Sequence, residues 1–226
     1  ASRRQDPDWR GCNVTIPHKE QVLAHLDQIE PRARRIGAVN TVWKAGDRLH
    51  GGNTDVEGVA EAVSGLDLAG KAVVVIGAGG AARSAFAHLE SQACSAVRVI
   101  ARSASKASHV AGEFALPCSV HSFDEPGVLA GAVLLVNATQ LGMQGQTPMP
   151  EAILQSLPGM AGDAVVFDMV YAPLQTGLLK AAAGHGLKTA DGLVMLVGQA
   201  RTAFSRFYGQ TPPREHDAEL RRLLTS

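Results

Sequence analysis

Short aliphatic runs recur through the middle of the chain. Ala72-Val73-Val74-Val75-Ile76 carries no polar side chain, the pattern of a strand buried on both faces. Gly77-Ala78-Gly79-Gly80 interrupts it, and Ala81 to Ser91 reads as a helix. Val97-Arg98-Val99-Ile100 predicts a second strand, Ser103 to Glu113 a helix, and Ser119-Val120-His121 a short third strand. Val133-Leu134-Leu135-Val136 and Val165-Val166-Phe167 predict two more, followed by a helix from Gln175 to Ala183 and a strand at Leu187-Lys188-Thr189. Strands alternating with helices predict βαβ units and a parallel, doubly wound sheet.

The flanks have a different pattern. Residues 1–56 carry an extended Asn13-Val14-Thr15-Ile16-Pro17, a helix near Lys19 to Leu26, and strand-like alternation from Val39 to Trp43. Residues 193–226 read as helical, with a break at Pro212-Pro213. No internal repeat or low-complexity tract is present. The fold class expected is α/β. A Rossmann-like doubly wound domain over 56–191 is inserted in a smaller α/β substrate domain made of 1–55 and 192–226.

Composition narrows the function classes. The 226 residues are 46% hydrophobic and 19% charged, which excludes a disordered chain and allows two modest cores. With 21 basic and 21 acidic residues the formal net charge is zero, unlike a general nucleic-acid or anionic-membrane binder. No run approaches the roughly 18 apolar residues of a membrane span. The start, Ala1-Ser2-Arg3-Arg4-Gln5-Asp6, has no apolar signal-peptide core. Cys12, Cys94 and Cys118 form no close pair, which suits a reducing cytoplasm, and the eight histidines show no metal-ligand spacing.

Gly77-Ala78-Gly79-Gly80-Ala81-Ala82 fits G-x-G-x-x-A between a strand and a helix. In that context Gly77 allows the tight turn, Gly79 lets backbone approach a pyrophosphate, and Ala82 allows close helix–strand packing. The N–H groups opening the helix favour the phosphate charge. An NAD site places Asp or Glu about 20 residues further on. Here no acidic residue lies between Glu90 and Glu113; Arg102, Ser103 and Lys106 stand there instead. Two cations and a hydroxyl suit the 2′-phosphate of NADP.

The first segment carries three compact polar signatures: Asn13 to Lys19, Gly37-Ala38-Val39-Asn40-Thr41, and Gly51-Gly52-Asn53-Thr54-Asp55. Taken singly, each has a structural explanation as turn or cap residues, or as a solvated lysine. Taken together with the motifs further along the chain, they resemble the shikimate/quinate dehydrogenase family over nearly its whole length. The family's N-V-T-x-P-x-K matches Asn13 to Lys19, its G-A-x-N-T matches Gly37 to Thr41, and its N-T-D-x-x-G matches Asn53 to Gly58. The Gly-rich loop lies at the family's interval, then Asn137-Ala138-Thr139 with Leu141-Gly142-Met143, then Asp168 to Pro173 with Thr176, and finally Gly192 to Leu196 with Gln199.

The resemblance implies NADPH-dependent reduction of 3-dehydroshikimate to shikimate, a cytoplasmic step towards chorismate and the aromatic amino acids. By motif position it implies Lys19 and Asp55 as the catalytic pair, and Thr15, Asn40, Tyr171 and Gln199 as substrate contacts. The cofactor would be held by Gly77, Ala78, Gly79, Gly80, Ala81, Arg102, Ser103, Lys106, Thr139, Met169 and Gly192. The family's N-R-T is here Ala101-Arg102-Ser103, which lacks the Asn. The family's early Ser-x-Ser, which binds the substrate carboxylate, has no counterpart before Asn13, so the expectation is a fragment of a longer chain. A small-molecule enzyme, monomeric or homodimeric, with no metal, nucleic-acid or membrane partner is the resulting picture. The alternatives are a relative that uses NAD or accepts quinate, and an NADP-binding relative without turnover.

The residue types suit the chemistry. Ketone reduction needs a proton for the developing alkoxide, and a lysine ammonium can hydrogen-bond the carbonyl before protonating it. A carboxylate beside that lysine favours its charged form, so Lys19 reads as proton donor and Asp55 as its orienter. Thr15, Asn40, Gln199 and the Tyr171 hydroxyl offer neutral donors and acceptors for a polyol.

Overall fold

A computed structural model of the chain describes residues 5–15 and 17–225. It divides into two compact units, one comprising Ala1–Gly58 and Leu196–Ser226, the other Val59–Met195. The expected boundaries, after Asp55 and after Asp191, fall at the first turns of helices α2 (Asp55–Ala62) and α7 (Gly192–Tyr208). Each division lies three or four residues further along, inside the helix.

The second unit is built on six parallel strands. They are β5 (Ala72–Ile76), β6 (Ala96–Ile100), β7 (Cys118–His121), β8 (Leu134–Asn137), β9 (Val165–Asp168) and β10 (Lys188–Ala190). Their spatial order, β7-β6-β5-β8-β9-β10, is that of a doubly wound dinucleotide fold. Successive side chains of a strand point to opposite faces, so the aliphatic run of β5 serves two cores. Val73 and Val75 pack with Ala82, Phe86 and Leu89 of α3 (Gly80–Leu89) and with Ala107 and Val110 of α4 (Ala104–Gly112). Val74 and Ile76 pack with Ile153 of α5 (Glu151–Ser156) and with Leu178, Leu179 and Ala182 of α6 (Gly177–Gly184). β5 is flanked by β6 on one side and β8 on the other, so the winding reverses beside it and leaves a crevice at the strands' carboxyl ends.

The first unit carries a four-stranded sheet, ordered β1 (Gly11–Asn13), β3 (Thr41–Ala45), β4 (Arg48–Gly52), β2 (Gln28–Ile29). β3 and β4 form an antiparallel hairpin turned at Gly46, whose φ of 61° favours glycine. The small core is Ala33, Val39 and Val42, with Trp9, Val14, Leu26 and Ile29 packed against it. Ala33 and Ile36 are the buried face of α1 (Pro31–Ile36). The C-terminal part of α7 is fastened to the sheet. Arg206 pairs with Glu30 at 2.5 Å, and its guanidinium lies 5.0 Å from the ring centre of Trp43. α8 (Asp217–Thr225) comes after a break that contains Pro212 and Pro213.

The helix expected near Lys19 to Leu26 is instead a 3₁₀ turn over Gln21–His25, with Lys19 in the turn before it. Sheet pairing stops it: Asp27 N–H donates to Leu49 O at 3.0 Å, and Leu49 N–H donates to the Asp27 carboxylate at 2.7 Å. The extended stretch expected over Asn13 to Pro17 ends as a strand at Asn13, and Ile16 lies outside the described residues.

Candidate active site

Two of the polar motifs in the first unit meet because they sit on facing strands. Thr41 pairs with Gly52 across the β3–β4 hairpin, so Asn40 and Asn53 leave the sheet side by side. Asn40 N–H donates to Gly52 O at 3.1 Å. The other signature joins them through its backbone: Val14 N–H donates to Asn40 O at 2.7 Å, and Val39 N–H to Lys19 O at 2.9 Å. Asn53 fixes the entry to α2, its Oδ1 accepting from Asp55 N–H at 3.0 Å and its Nδ2 donating to Ala38 O at 3.1 Å.

At the centre, Lys19 Nζ donates to Asp55 Oδ2 at 2.7 Å. The Lys19 side chain is 26% exposed and that of Asp55 only 7%, so the ammonium faces outward from a nearly buried carboxylate. The second carboxylate oxygen accepts from Asn40 Nδ2 at 2.8 Å, and the same amide nitrogen lies 3.0 Å from Gln199 Oε1 on α7. The Asn40 oxygen accepts from Thr54 N–H at 2.7 Å and from the Thr41 hydroxyl at 3.0 Å. Lys19, Asn40, Asp55 and Gln199 thus form one hydrogen-bonded group. Thr15 stands exposed on the same turn as Lys19, where its carbonyl accepts from His18 N–H at 2.9 Å. Tyr171 belongs to the other unit and is 61% exposed.

In the second unit Gly77 comes directly after β5 with a φ of 111°, a conformation that side-chain-bearing residues rarely adopt. A Cβ there would lie 2.8 Å from Thr139 Cγ2 and 3.1 Å from Ala138 O, so Gly77 and Thr139 are in contact across the crevice. At Gly79 and Gly80 a Cβ would meet nothing within 4 Å. The protein's own packing does not require glycine at either position, and the backbone there is open. Ala82, fully buried, packs α3 on the sheet. Arg102 is exposed at the end of β6. Ser103 caps α4, its hydroxyl oxygen accepting from Lys106 N–H at 3.4 Å, and the exposed Lys106 lies in that helix's first turn.

The loops after β8 and β9 are tied by a buried polar network. Asp168, wholly inaccessible, accepts from Asn137 Nδ2 at 2.9 Å, from Val170 N–H at 3.0 Å and from the Thr176 hydroxyl at 2.7 Å. Burial pushes its carboxyl above the usual range, opposed by those three donors. Asn137 Oδ1 in turn accepts from the Thr139 hydroxyl at 2.6 Å. Met169 N–H donates to Asn137 O at 3.0 Å. A Cβ on Gly192 would collide with the carbonyl of Met169 and with Val170 C, so these backbones touch. Asn137, Asp168 and Thr176 stand in motifs of the sequence that assign them no role. The bonds that give them one depend on strand neighbours, as in the 31-residue span from Asn137 to Asp168. Among the described residues no cluster of His, Cys, Asp or Glu forms a metal site, and no helix is long and apolar enough to cross a membrane.

Two family models match. One, described as the shikimate dehydrogenase substrate binding domain, covers residues 1–42; the other, shikimate / quinate 5-dehydrogenase, covers 58–141. The NADP(+) shikimate dehydrogenase of Sphingopyxis alaskensis is 46% identical over all of this chain and 81% of its own length. That of Rhodospirillum rubrum is 44% identical, over 93% of this chain and 76% of its own. Among solved structures, the Thermus thermophilus shikimate 5-dehydrogenase in complex with NADP(H) and shikimate superposes with a TM-score of 0.82. It is 37% identical, over 98% of this chain and 81% of that one. A 5-ketofructose reductase of a Gluconobacter species, 34% identical over 96% and 79%, superposes with a TM-score of 0.81.

Proposed function

The chain belongs to the shikimate dehydrogenase family, and from that premise we infer that it reduces 3-dehydroshikimate to shikimate with NADPH. The observation that carries the reading is the 2.7 Å pair of Lys19 and Asp55. It puts a charged proton donor at the rim of a buried, hydrogen-bonded carboxylate.

The cofactor site fits its ligand on steric and electrostatic grounds. The open backbone at Gly79 and Gly80 takes the pyrophosphate, and the exposed Arg102 and Lys106 face the 2′-phosphate, helped by Ser103. Thr139, Met169 and Gly192, tied to the Asn137–Asp168 network, bound the crevice beside the loop of Gly77 to Ala81. NADPH supplies the hydride from C4 of its nicotinamide.

The chain's residues supply the rest. Lys19 donates a hydrogen bond to the ketone oxygen, stabilises the developing negative charge and delivers its proton there. Asp55 holds the ammonium in place and accepts from a substrate hydroxyl. Thr15, Asn40, Gln199 and Tyr171 complete the polyol contacts. A site of this kind rejects an analogue lacking one hydroxyl, because its own polar groups would be left unpaired. We place the enzyme in the cytoplasm, as a monomer or homodimer acting on small molecules. The scattered free cysteines support the compartment, and the balanced charge supports a small-molecule substrate over a polyanionic partner.

The test monitors NADPH oxidation with 3-dehydroshikimate and, in parallel, NADH oxidation with 3-dehydroshikimate, NADPH oxidation with 5-ketofructose, and NADP⁺ reduction with quinate. Turnover of 3-dehydroshikimate with NADPH, well above the other arms, is expected. NADPH binding without turnover would support the non-catalytic alternative, and faster turnover of 5-ketofructose or quinate would reassign the substrate.

A further inference from the structure

We propose that Thr41 is a positioning residue of the acid site, and that its hydroxyl sets the plane of the Asn40 amide and so aims that amide at Asp55. The inference rests on the reading of Lys19 and Asp55 as the acid and its orienter.

Thr41 is fully buried, and its hydroxyl is its distinctive group. Among the described residues its hydrogen bonds go to neither Lys19 nor Asp55. Its oxygen lies 3.0 Å from Asn40 Oδ1, 3.1 Å from the Thr54 hydroxyl and 3.4 Å from Asn13 Nδ2. Asn13 can only donate through that nitrogen, so Thr41 accepts from it and has its own hydrogen to give to Asn40.

The Asn40 amide needs such help, because the terminal torsion of asparagine is broad and does not fix the amide plane by itself. Two neighbours of fixed polarity decide which end is which. Thr54 N–H can only donate and sits 2.7 Å from Oδ1; the ionised Asp55 can only accept and sits 2.8 Å from Nδ2. The Thr54 hydroxyl lies 3.3 Å from Oδ1 and 3.1 Å from Nδ2 and so serves either end of the amide, while Gln199 Oε1 accepts from Nδ2 at 3.0 Å. Thr41 adds a side-chain donor that meets Oδ1 alone, from another direction, and so limits the rotation that these contacts leave. Its anchor is firm, since it pairs with Asn13 on one side and Gly52 on the other, in the interior strand β3.

The consequence reaches Lys19 through the carboxylate. Asn40 holds one Asp55 oxygen and Lys19 the other, so a pivoting amide releases the first oxygen and lets the carboxylate turn away from the ammonium. Thr41 therefore acts on the proton donor through two intermediaries and touches no substrate.

Thr41→Val removes the hydroxyl at nearly constant volume, while Thr41→Ser keeps it. Losing one net hydrogen bond corresponds to a fall in kcat of about 3–10-fold. The NADPH KM should be unchanged. The pH profile of kcat should move in Thr41→Val and return to that of the unaltered protein in Thr41→Ser. In an Asn40→Ala background, Thr41→Val should have no further effect, because the amide it orients is gone. Unchanged kcat and pH profile in Thr41→Val, or equal losses in both backgrounds, would overturn the proposal. If Thr41→Val does not fold, as judged by circular dichroism and denaturant unfolding, Thr41→Ala carries the same test without added bulk. Full activity of Lys19→Ala would instead show that the underlying acid assignment had failed.

Discussion

Replacing Gly77 by alanine should cripple cofactor binding through two separable costs. The backbone at Gly77 has a φ of 111°, and holding a side-chain-bearing residue in so sparsely populated a conformation costs on the order of 1–3 kcal/mol. The new Cβ would also lie 2.8 Å from Thr139 Cγ2. Thr139 cannot swing aside cheaply, because its hydroxyl donates to Asn137 Oδ1 at 2.6 Å and accepts from Leu141 N–H at 3.1 Å. Overpacking of this kind adds about 1–3 kcal/mol. The sum, about 2–6 kcal/mol, is a large share of a domain's stability. Where the loop yields instead of the fold, it appears as weakened NADPH binding. Thr139→Ser deletes the offending methyl and keeps the hydroxyl, so the double variant should recover the second cost and retain the first. Denaturant unfolding and fluorescence titration with NADPH would measure both. If Gly77→Ala matches the unaltered protein in both assays, or if Thr139→Ser restores nothing, the steric argument is wrong.

Three further outcomes are expected. Lys19→Ala should lower kcat by about a hundred- to ten-thousand-fold with little change in KM; a change confined to KM would make Lys19 a binding residue. Arg102→Ala should raise the KM for NADPH by about 10- to 150-fold, the loss of one charge-assisted hydrogen bond, and leave that for NADH unchanged; equal effects on both would remove Arg102 from the 2′-phosphate. Burial pushes the Cys118 thiol up to about 11, above the value near 8.5 of a free cysteine. The folded state therefore disfavours the thiolate: the stability linked to this group is complete below the free value and is lost as pH rises through 11. Iodoacetamide at pH near 8 should label the exposed Cys12 well before Cys118, and Cys118→Ala should flatten the alkaline loss of stability; equal labelling rates would refute the shift.

The parallel sheet was legible because its strands are runs without polar residues. β5 begins and ends where the aliphatic run does, and β6 begins one residue before Val97. Strand β4 was not legible, since Arg48-Leu49-His50-Gly51-Gly52 has one aliphatic residue and becomes a strand only through its register with β3. Helix α1 had signals that periodicity alone overlooks: Pro31 at its first turn, Ala33 and Ile36 three apart, and Gly37 with a φ of 74° at its end. For the site, the family resemblance of the ordered motifs named Lys19, Asn40, Asp55 and Gln199, which residue type alone left with structural explanations and which the fold brings into one hydrogen-bonded group. The supporting bonds of Thr41, Thr54 and Asp168 were hidden, because they depend on which strands become neighbours.

The first unit is discontinuous in sequence, and that sets an order of assembly during synthesis. Val59–Met195 is one uninterrupted segment, able to condense on its own as soon as it has emerged. The unit with the acid group cannot be finished then, because the helix that fastens to its sheet through Arg206 has yet to appear. The bond from Asn40 to Gln199 spans 159 positions and is among the last that a growing chain can close. A nascent chain halted before Leu196 would therefore contain every residue of the second unit, while the hydrogen-bonded group of the first would still lack Gln199.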